Sequence, residues 1–294
     1  MARLAYVNGR FVPHNQAFVH IEDRGFQFAD AVYEVIVVID GHLIDEIGHL
    51  DRLERSLAEL RIAAPVSRRV LAILLRELVS RNGVALGTVY LQISRGVAPR
   101  DFHFPVGVKS SLVITTTRVN QRFTSPEKLE AGVSVITIPD IRWLRRDIKT
   151  VNLLAQVLGK QQAGEQGAAE AWQVDGDGFV TEGCSSNAWI VTRDGVLVTR
   201  QATNLILNGV TRLSLIRLAA AQGIPFEARP FTVNEAYQAR EAFLSSASTF
   251  VLPITAIDGH PVDGGKPGPL CRALRQSYLD YAVKEGRSAL TVAV

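Results

Sequence analysis

Short β-forming runs, closed by tight turn signals and only now and then replaced by helical spacing, constrain this chain more than any other feature. "LAYVNGRFV" sets two β-rich runs on either side of Asn8-Gly9, and "AVYEVIVVIDGHLI" repeats the device at Asp40-Gly41, so both read as hairpins. Leu50, Leu53, Leu57 and Leu60 then recur at helical spacing over about Ile47 to Leu60. A second helix is expected over Ser67 to Asn82, stopping at Gly83. "GTVYLQISRG" and "SSLVITTTRV" return to strand. Residues 1–119 are therefore read as a first domain, with strands on one side and two helices packed against them.

The polar, proline-bearing stretch "NQRFTSPEKLEAG" (120–132) interrupts the strand pattern and is the expected linker. In 133–294 the runs "VSVITIP", "EAWQVD", "FVTEG", "AWIVTRDGVLVT" and "EAFLSSAS" are expected strands. Helices are expected over about Val151 to Gly167 and Arg212 to Gln222. Regular βαβ alternation is missing, which points to an α+β fold with a barrel-like second domain and away from a doubly wound sheet.

Composition removes several function classes. With 47% apolar and 21% charged residues the chain is an ordered globule, and its net charge of +3 comes without the dense basic run that tracks a phosphate backbone. Cys184 and Cys271 stand far apart without histidine pairs, so neither a disulfide framework nor a zinc site is expected, and no metal is assigned. "MARLAYVNGRFVP" is charged and turns early, unlike a signal peptide, and "VLAILL" stops at Arg76, far short of membrane length. The expected compartment is the cytoplasm, with no nucleic acid and no membrane as partner.

Four stretches carry residues suited to chemistry. In "IRWLRRDIKTVNLL" (141–154), Lys149 follows an apolar, Arg-flanked run just where a helix is expected to begin, with Leu153, Leu154, Val157 and Leu158 read as its buried face. A helix dipole and partial burial beside Trp143 or Ile148 would both favour a free amine, the form needed to attack a carbonyl. In "FVTEGCSSN" (179–187), a strand ending at Thr181 places Glu182 where a carboxylate can hold a proton on a ring nitrogen. In "NGVTRLSLIRLAA" (208–220), Thr211 reads as an N-cap, and the helix start can receive a phosphate together with the hydroxyls of "LSSAST" and the charge of Arg52. In "SRGVAPRDFHFP" (94–105), Arg100, Asp101 and His103 lie on a proline-bracketed loop. Each stretch read alone also has a plainer account: a surface lysine, a turn glutamate, an ordinary capped helix, a snorkelling Arg52, and a hairpin loop whose Arg100 pairs with Asp101.

Read together, "EDRGFQFADAVYEV" (22–35), "HLDRL" (49–53), "IRWLRRDIKTVNLL", "VTEGCSSN" (180–187) and "NGVTRLSLI" (208–216) stand in an order and spacing that resembles the fold-type IV pyridoxal-phosphate aminotransferases. Within that family the chain is most similar to the D-amino acid aminotransferases, from about Tyr6 to Gly265. The resemblance implies a two-domain α+β enzyme with a smaller N-terminal domain built on a mainly antiparallel sheet and a larger C-terminal pseudo-barrel domain. It also implies pyridoxal 5′-phosphate as cofactor and a homodimer with shared active sites. Lys149 corresponds to the lysine that holds the cofactor as a Schiff base, and Glu182 to the partner of the pyridine nitrogen. Arg52, Val210, Thr211, Ser246, Ala247 and Ser248 correspond to the phosphate cup, with Ala247 in place of a threonine.

Tyr33 and Arg100 correspond to the trap for the substrate carboxylate, the Arg100 loop coming from the partner subunit. Phe102 stands where that trap has a histidine, and His103 follows one place later. Ala29 and Ala31 replace two glycines of the pattern. The implied reaction moves the amino group of a D-amino acid to a 2-oxo acid such as 2-oxoglutarate or pyruvate by a ping-pong route. Phe102 motivates an extension to (R)-primary amines. Branched-chain L-amino acid aminotransferase and 4-amino-4-deoxychorismate lyase are the alternatives on the same fold. A non-enzymatic phosphate-binding scaffold would leave the spacing of Lys149 and Glu182 unexplained.

Overall fold

The computed structural model describes residues 3–119 and 126–288, so the first half of the expected linker, 120–125, lies outside the described residues. The chain groups into two compact units: 3–119 with Ile148–Asn152 and 282–288, and 126–147 with Leu153–Tyr281.

In the first unit β1 (Leu4–Val7) and β2 (Arg10–Pro13) flank Asn8 and Gly9, whose φ values of 46° and 97° are the left-handed ones that a two-residue hairpin turn demands. α1 (Arg24–Phe28) is capped by Asp23, whose Oδ1 accepts the Gly25 N–H at 2.8 Å. β3 (Ala31–Ile39) and β4 (His42–Leu43) form the second expected hairpin. α2 (Glu46–Glu59) and α3 (Arg68–Arg81) follow at the expected places, with Ser67 capping α3 through Val70 N–H. β5 (Leu86–Ser94) and β6 (Ser111–Arg118) complete a six-stranded sheet of order β2-β1-β6-β5-β3-β4, antiparallel at every pairing.

Strand alternation sends Val32, Ile36 and Val38 of β3 and Val89, Leu91 and Ile93 of β5 to one face. There they pack with Leu50, Leu53 and Leu57 of α2 and Leu71, Leu75 and Leu78 of α3. Each such side chain contributes about 2 kcal/mol by leaving water.

The segment Ile148–Asn152 is extended and belongs to this unit. Thr150 bridges Val32, the Tyr33 N–H donates to Lys149 O at 3.0 Å, and the Val151 N–H donates to Ala31 O at 3.2 Å. Ile148 enters the same core. These bonds explain two departures from expectation. The helix expected from Val151 starts only at Leu154, and Lys149 sits on a strand-like segment well ahead of the N-cap Leu153 rather than in a first turn.

The second unit begins with α4 (Pro126–Ala131), which occupies the end of the expected linker, followed by β7 (Val133–Pro139) and α5 (Leu154–Glu165). Then come β8 (Glu170–Val174), β9 (Val180–Gly183), β10 (Asn187–Val191), β11 (Leu197–Thr199), α6 (Val210–Ala221) and β12 (Phe226–Ala228). α7 (Val233–Tyr237), β13 (Glu241–Ser246), β14 (Phe250–Ile257), β15 (His260–Pro261) and α8 (Pro269–Ser288) complete it. A nine-stranded sheet of order β12-β11-β10-β13-β14-β7-β8-β9, with β15 beside β14, curls as a half-barrel around Trp172, Val180, Ile190, Phe231, Leu252 and Ile254.

Two features of this unit differ from the sequence expectation. Leu154, Val157 and Leu158 are exposed, and α5 instead buries Gly159 and Ala163. A Cβ on Gly159 would lie 2.5 Å from Cys184 Sγ and 2.6 Å from Ile138 Cδ1, so close approach to the sheet selects the small face over the apolar one. Thr211 is not an N-cap. Gly209 takes that place with extended backbone, no side chain caps the turn, and Thr211 lies inside the helix.

Candidate active site

In the first unit Lys149 Nζ lies 4.1 Å from the centroid of the Tyr33 ring, which itself stacks on Tyr90 at 5.7 Å. Tyr33 points away from the α2 face because the next residue, Glu34, points into it. The ring steadies the ammonium head by a cation–π contact while the backbone bonds to Tyr33 and Ala31 fix its strand. The Lys149 N–H also donates to Ser56 Oγ at 3.3 Å.

Glu34 carries a full charge into an apolar face, and α2 supplies the compensation. Arg52 donates from Nε to Oε1 at 2.8 Å and from Nη2 to Oε2 at 2.7 Å, and His49 Nδ1 lies 2.7 Å from Oε2. Burial alone would push this carboxyl up, but the charge and hydrogen bonds of Arg52, with His49, outweigh it and hold the pKa at about 2. Arg52 thus has a carboxylate partner that the sequence did not disclose.

The loop carrying Arg100 is organised by a tilted aromatic pair and cation–π contacts. The Phe28 and Phe102 rings lie 5.4 Å apart, and the Arg100 guanidinium stands 5.0 Å from the first and 5.6 Å from the second. Asp101 accepts from the His103 N–H and faces His103 Nδ1, both at 3.1 Å, so the expected alternative pairing with Arg100 is replaced by one with His103. Phe102 and His103 are both exposed.

The second unit holds Glu182 inside β9 rather than in the turn after it, and its carboxylate is buried. Arg142 Nη1 donates to Oε1 at 2.5 Å, Asn187 Nδ2 to Oε2 at 3.0 Å, and the Leu207 N–H to both oxygens at 3.1 Å. The amide of Asn187 is oriented by its second bond, from the same Nδ2 to Leu207 O at 2.9 Å. Gly209 makes room for it, since a Cβ there would run into Asn187 Oδ1. Burial pushes the Glu182 carboxyl above the ordinary range, and the Arg142 charge and the Leu207 N–H pull against it. Every partner on its oxygens donates, so the ionised form is the one the geometry serves. Arg142 and Asn187 lie inside the two motifs, but only the fold brings both onto Glu182.

Val210 and Thr211 are buried in the first turn of α6, which packs against β13. After β13, the Ser246 hydroxyl lies 2.7 Å from Thr249 Oγ1 and 3.5 Å from Ser248 Oγ, and it accepts the Thr249 N–H at 3.2 Å. Ala247 brings no hydroxyl to this turn. Arg212 donates to Asn208 Oδ1 at 3.0 Å and to Arg200 O at 2.8 Å. Burial pulls its guanidinium down to about 10, opposed by the Glu182 charge.

These groups fit a phosphorylated pyridine aldehyde. The Glu182 carboxylate, fixed by three donors with the Leu207 N–H shared between both oxygens, presents an acceptor to a protonated ring nitrogen. An uncapped helix start with nearby hydroxyls suits a phosphate dianion. Among the described residues no cluster of His, Cys, Asp or Glu has the makings of a metal site, and no helix is long and apolar enough to cross a membrane.

The amino-transferase class IV family matches residues 31–257, and the chain belongs to it; enzymes of this fold type work with pyridoxal 5′-phosphate. More particularly, the chain is 42% identical to a D-alanine aminotransferase of Staphylococcus epidermidis over 276 residues, covering 94% of this chain and 96% of that one. It is 41% identical to a D-alanine aminotransferase of Bacillus licheniformis over 282 residues, covering 94% and 98%. Among solved structures, the branched-chain amino acid aminotransferase of Escherichia coli shares the fold with a TM-score of 0.88 at 24% identity, covering 96% of this chain and 95% of that one. The branched-chain aminotransferase of Thermoproteus uzoniensis, solved with norvaline, gives a TM-score of 0.87 at 24% identity, covering 99% and 98%.

Proposed function

We propose that this aminotransferase acts on D-amino acids, passing the amino group to a 2-oxo acid. The observation that carries this reading is the 40–42% identity to D-alanine aminotransferases over nearly the whole chain, against about a quarter for the branched-chain enzymes that share the fold. Bound pyridoxal 5′-phosphate supplies an electron-withdrawing ring that accepts the electron pair left at the substrate Cα. Lys149 Nζ, which lies over the Tyr33 ring, would hold the cofactor and carry the proton at that Cα. Glu182 accepts the ring N–H and keeps it protonated. Val210, Thr211, Ser246, Ala247 and Ser248 receive the phosphate through backbone N–H groups and hydroxyls, and Arg52 supplies counter-charge.

Tyr33 and Arg100 bind the substrate carboxylate, with the Arg100 loop acting across a homodimer. The Phe28–Phe102 ring pair beside Arg100 offers an apolar face, which favours an added tolerance for (R)-primary amines. Two buried free cysteines, Cys184 and Cys271, suit the reducing cytoplasm.

The testing experiment mixes the cofactor-loaded protein, without acceptor, with D-alanine, L-leucine or (R)-1-phenylethylamine in separate cuvettes. Fast bleaching of the visible band by D-alanine is expected. Response to L-leucine alone would overturn the substrate assignment, and a colourless protein would overturn the role of Lys149.

A further inference from the structure

Asp140 has no place in the roles above, yet its side chain is completely buried just beyond β7. Its Oδ1 accepts Arg142 Nε at 2.9 Å, and its Oδ2 accepts Arg142 Nη2 at 2.7 Å and Thr181 Oγ1 at 2.7 Å. Arg146 Nε stands 3.4 Å from Oδ2, too loosely placed for a hydrogen bond but near enough for charge to count. Two parallel N–H···O bonds fix the plane of a guanidinium as a single bond does not. With Nε and Nη2 committed, that plane presents Nη1 to Glu182 Oε1.

We propose that Asp140 is a positioning residue for the Glu182 carboxylate, clamping Arg142 so that one N–H is aimed at Oε1 and the carboxylate is held in place to accept from the cofactor ring. This rests on the proposed pairing of Glu182 with the ring nitrogen. Thr181 supports the clamp from the adjoining residue of β9, and Arg146 balances its charge: Asp140 and Glu182 against Arg142 and Arg146. Such a buried set costs desolvation that an apolar set would not, so its presence beside Glu182 calls for a task other than stability.

Loss of the clamp lets Arg142 turn away. The charge-assisted bond lost at 2.5 Å outweighs removal of the Asp140 charge, which reaches Glu182 only from beyond Arg142. Glu182 then takes up a proton at higher pH and no longer holds the ring proton.

The test uses holoenzyme with Asp140→Asn, Thr181→Val and, as reference, Glu182→Gln. It reads the visible spectrum against pH, cofactor retention on dialysis, and kcat and KM. Asp140→Asn is expected to lower kcat about tenfold and leave KM for the donor within about twofold. It should also move the acid limb of the kcat profile and the spectral transition to higher pH and release cofactor faster. Thr181→Val removes one hydroxyl and should move the same readings less; it decides the matter if Asp140→Asn does not fold. Spectrum, pH limb and retention unchanged in both, while Glu182→Gln alters them, overturn the positioning role and leave the Glu182 assignment standing. If Glu182→Gln itself changes nothing, the pairing on which the proposal rests fails first.

Discussion

Arg52 closes on Glu34 with two N–H donors, at 2.8 and 2.7 Å, inside the apolar layer between β3 and α2. The pair is a pH device by arithmetic. Its folded-state pKa of about 2 lies below the ordinary 4.5, so the stability it contributes is present above pH 4.5 and is lost as pH falls toward 2. The shift corresponds to about 3 kcal/mol. Glu34→Gln should flatten the loss of stability across this acid window, measured by urea unfolding at stepped pH, while lowering stability at neutral pH because Arg52 is left without its counter-ion.

Lys149→Ala should abolish multiple turnover, a loss of several orders of magnitude, and remove the visible band of lysine-bound cofactor. Retained turnover would take the lysine out of the mechanism.

Arg100→Ala removes the guanidinium from the Phe28–Phe102 ring pair. For D-alanine, kcat/KM should fall about a hundredfold, the scale of a lost charge-assisted carboxylate contact. For (R)-1-phenylethylamine it should change little. Equal losses for both donors would count against a carboxylate trap.

Gly209→Ala drives a methyl group into Asn187 Oδ1. Overpacking of this kind costs about 1–3 kcal/mol, and here the strain falls on an amide that donates to Glu182. The variant should melt earlier and bind pyridoxal 5′-phosphate more weakly, read by thermal denaturation with and without cofactor.

Ala29 ends α1 at φ 55°, a left-handed position that favours glycine. Ala29→Gly should stabilise the first unit by about 1 kcal/mol, seen as a higher urea midpoint with unchanged slope.

Local chemistry was legible in the sequence. Asn8-Gly9, Asp40-Gly41 and the leucine spacing of α2 placed their elements within a residue or two because turns and amphipathic helices are written in near neighbours. What was not legible depends on distant pairing. Lys149 was read as a helix start, but bonds to β3 claim its segment as extended chain. Leu154, Val157 and Leu158 looked like a core face because apolar residues usually are, while the approach of Gly159 to Cys184 and Ile138 decides which side of α5 is inward. Glu34 and Arg52 are 18 residues apart, and no local pattern joins them. The motifs carrying Glu182 were visible, whereas its donors Arg142 and Leu207 arrive from other parts of the chain.

The short return of Ile148–Asn152 to the first unit has a consequence for how such a protein can be rearranged. Its polypeptide leaves that unit, comes back to lay one extended segment beside β3, and leaves again. A gene fragment ending near residue 119 would encode a sheet lacking Ile148 from its core, and one beginning near 126 would carry that segment with no β3 to receive it. A single crossover in the linker therefore parts β3 from the segment that pairs with it.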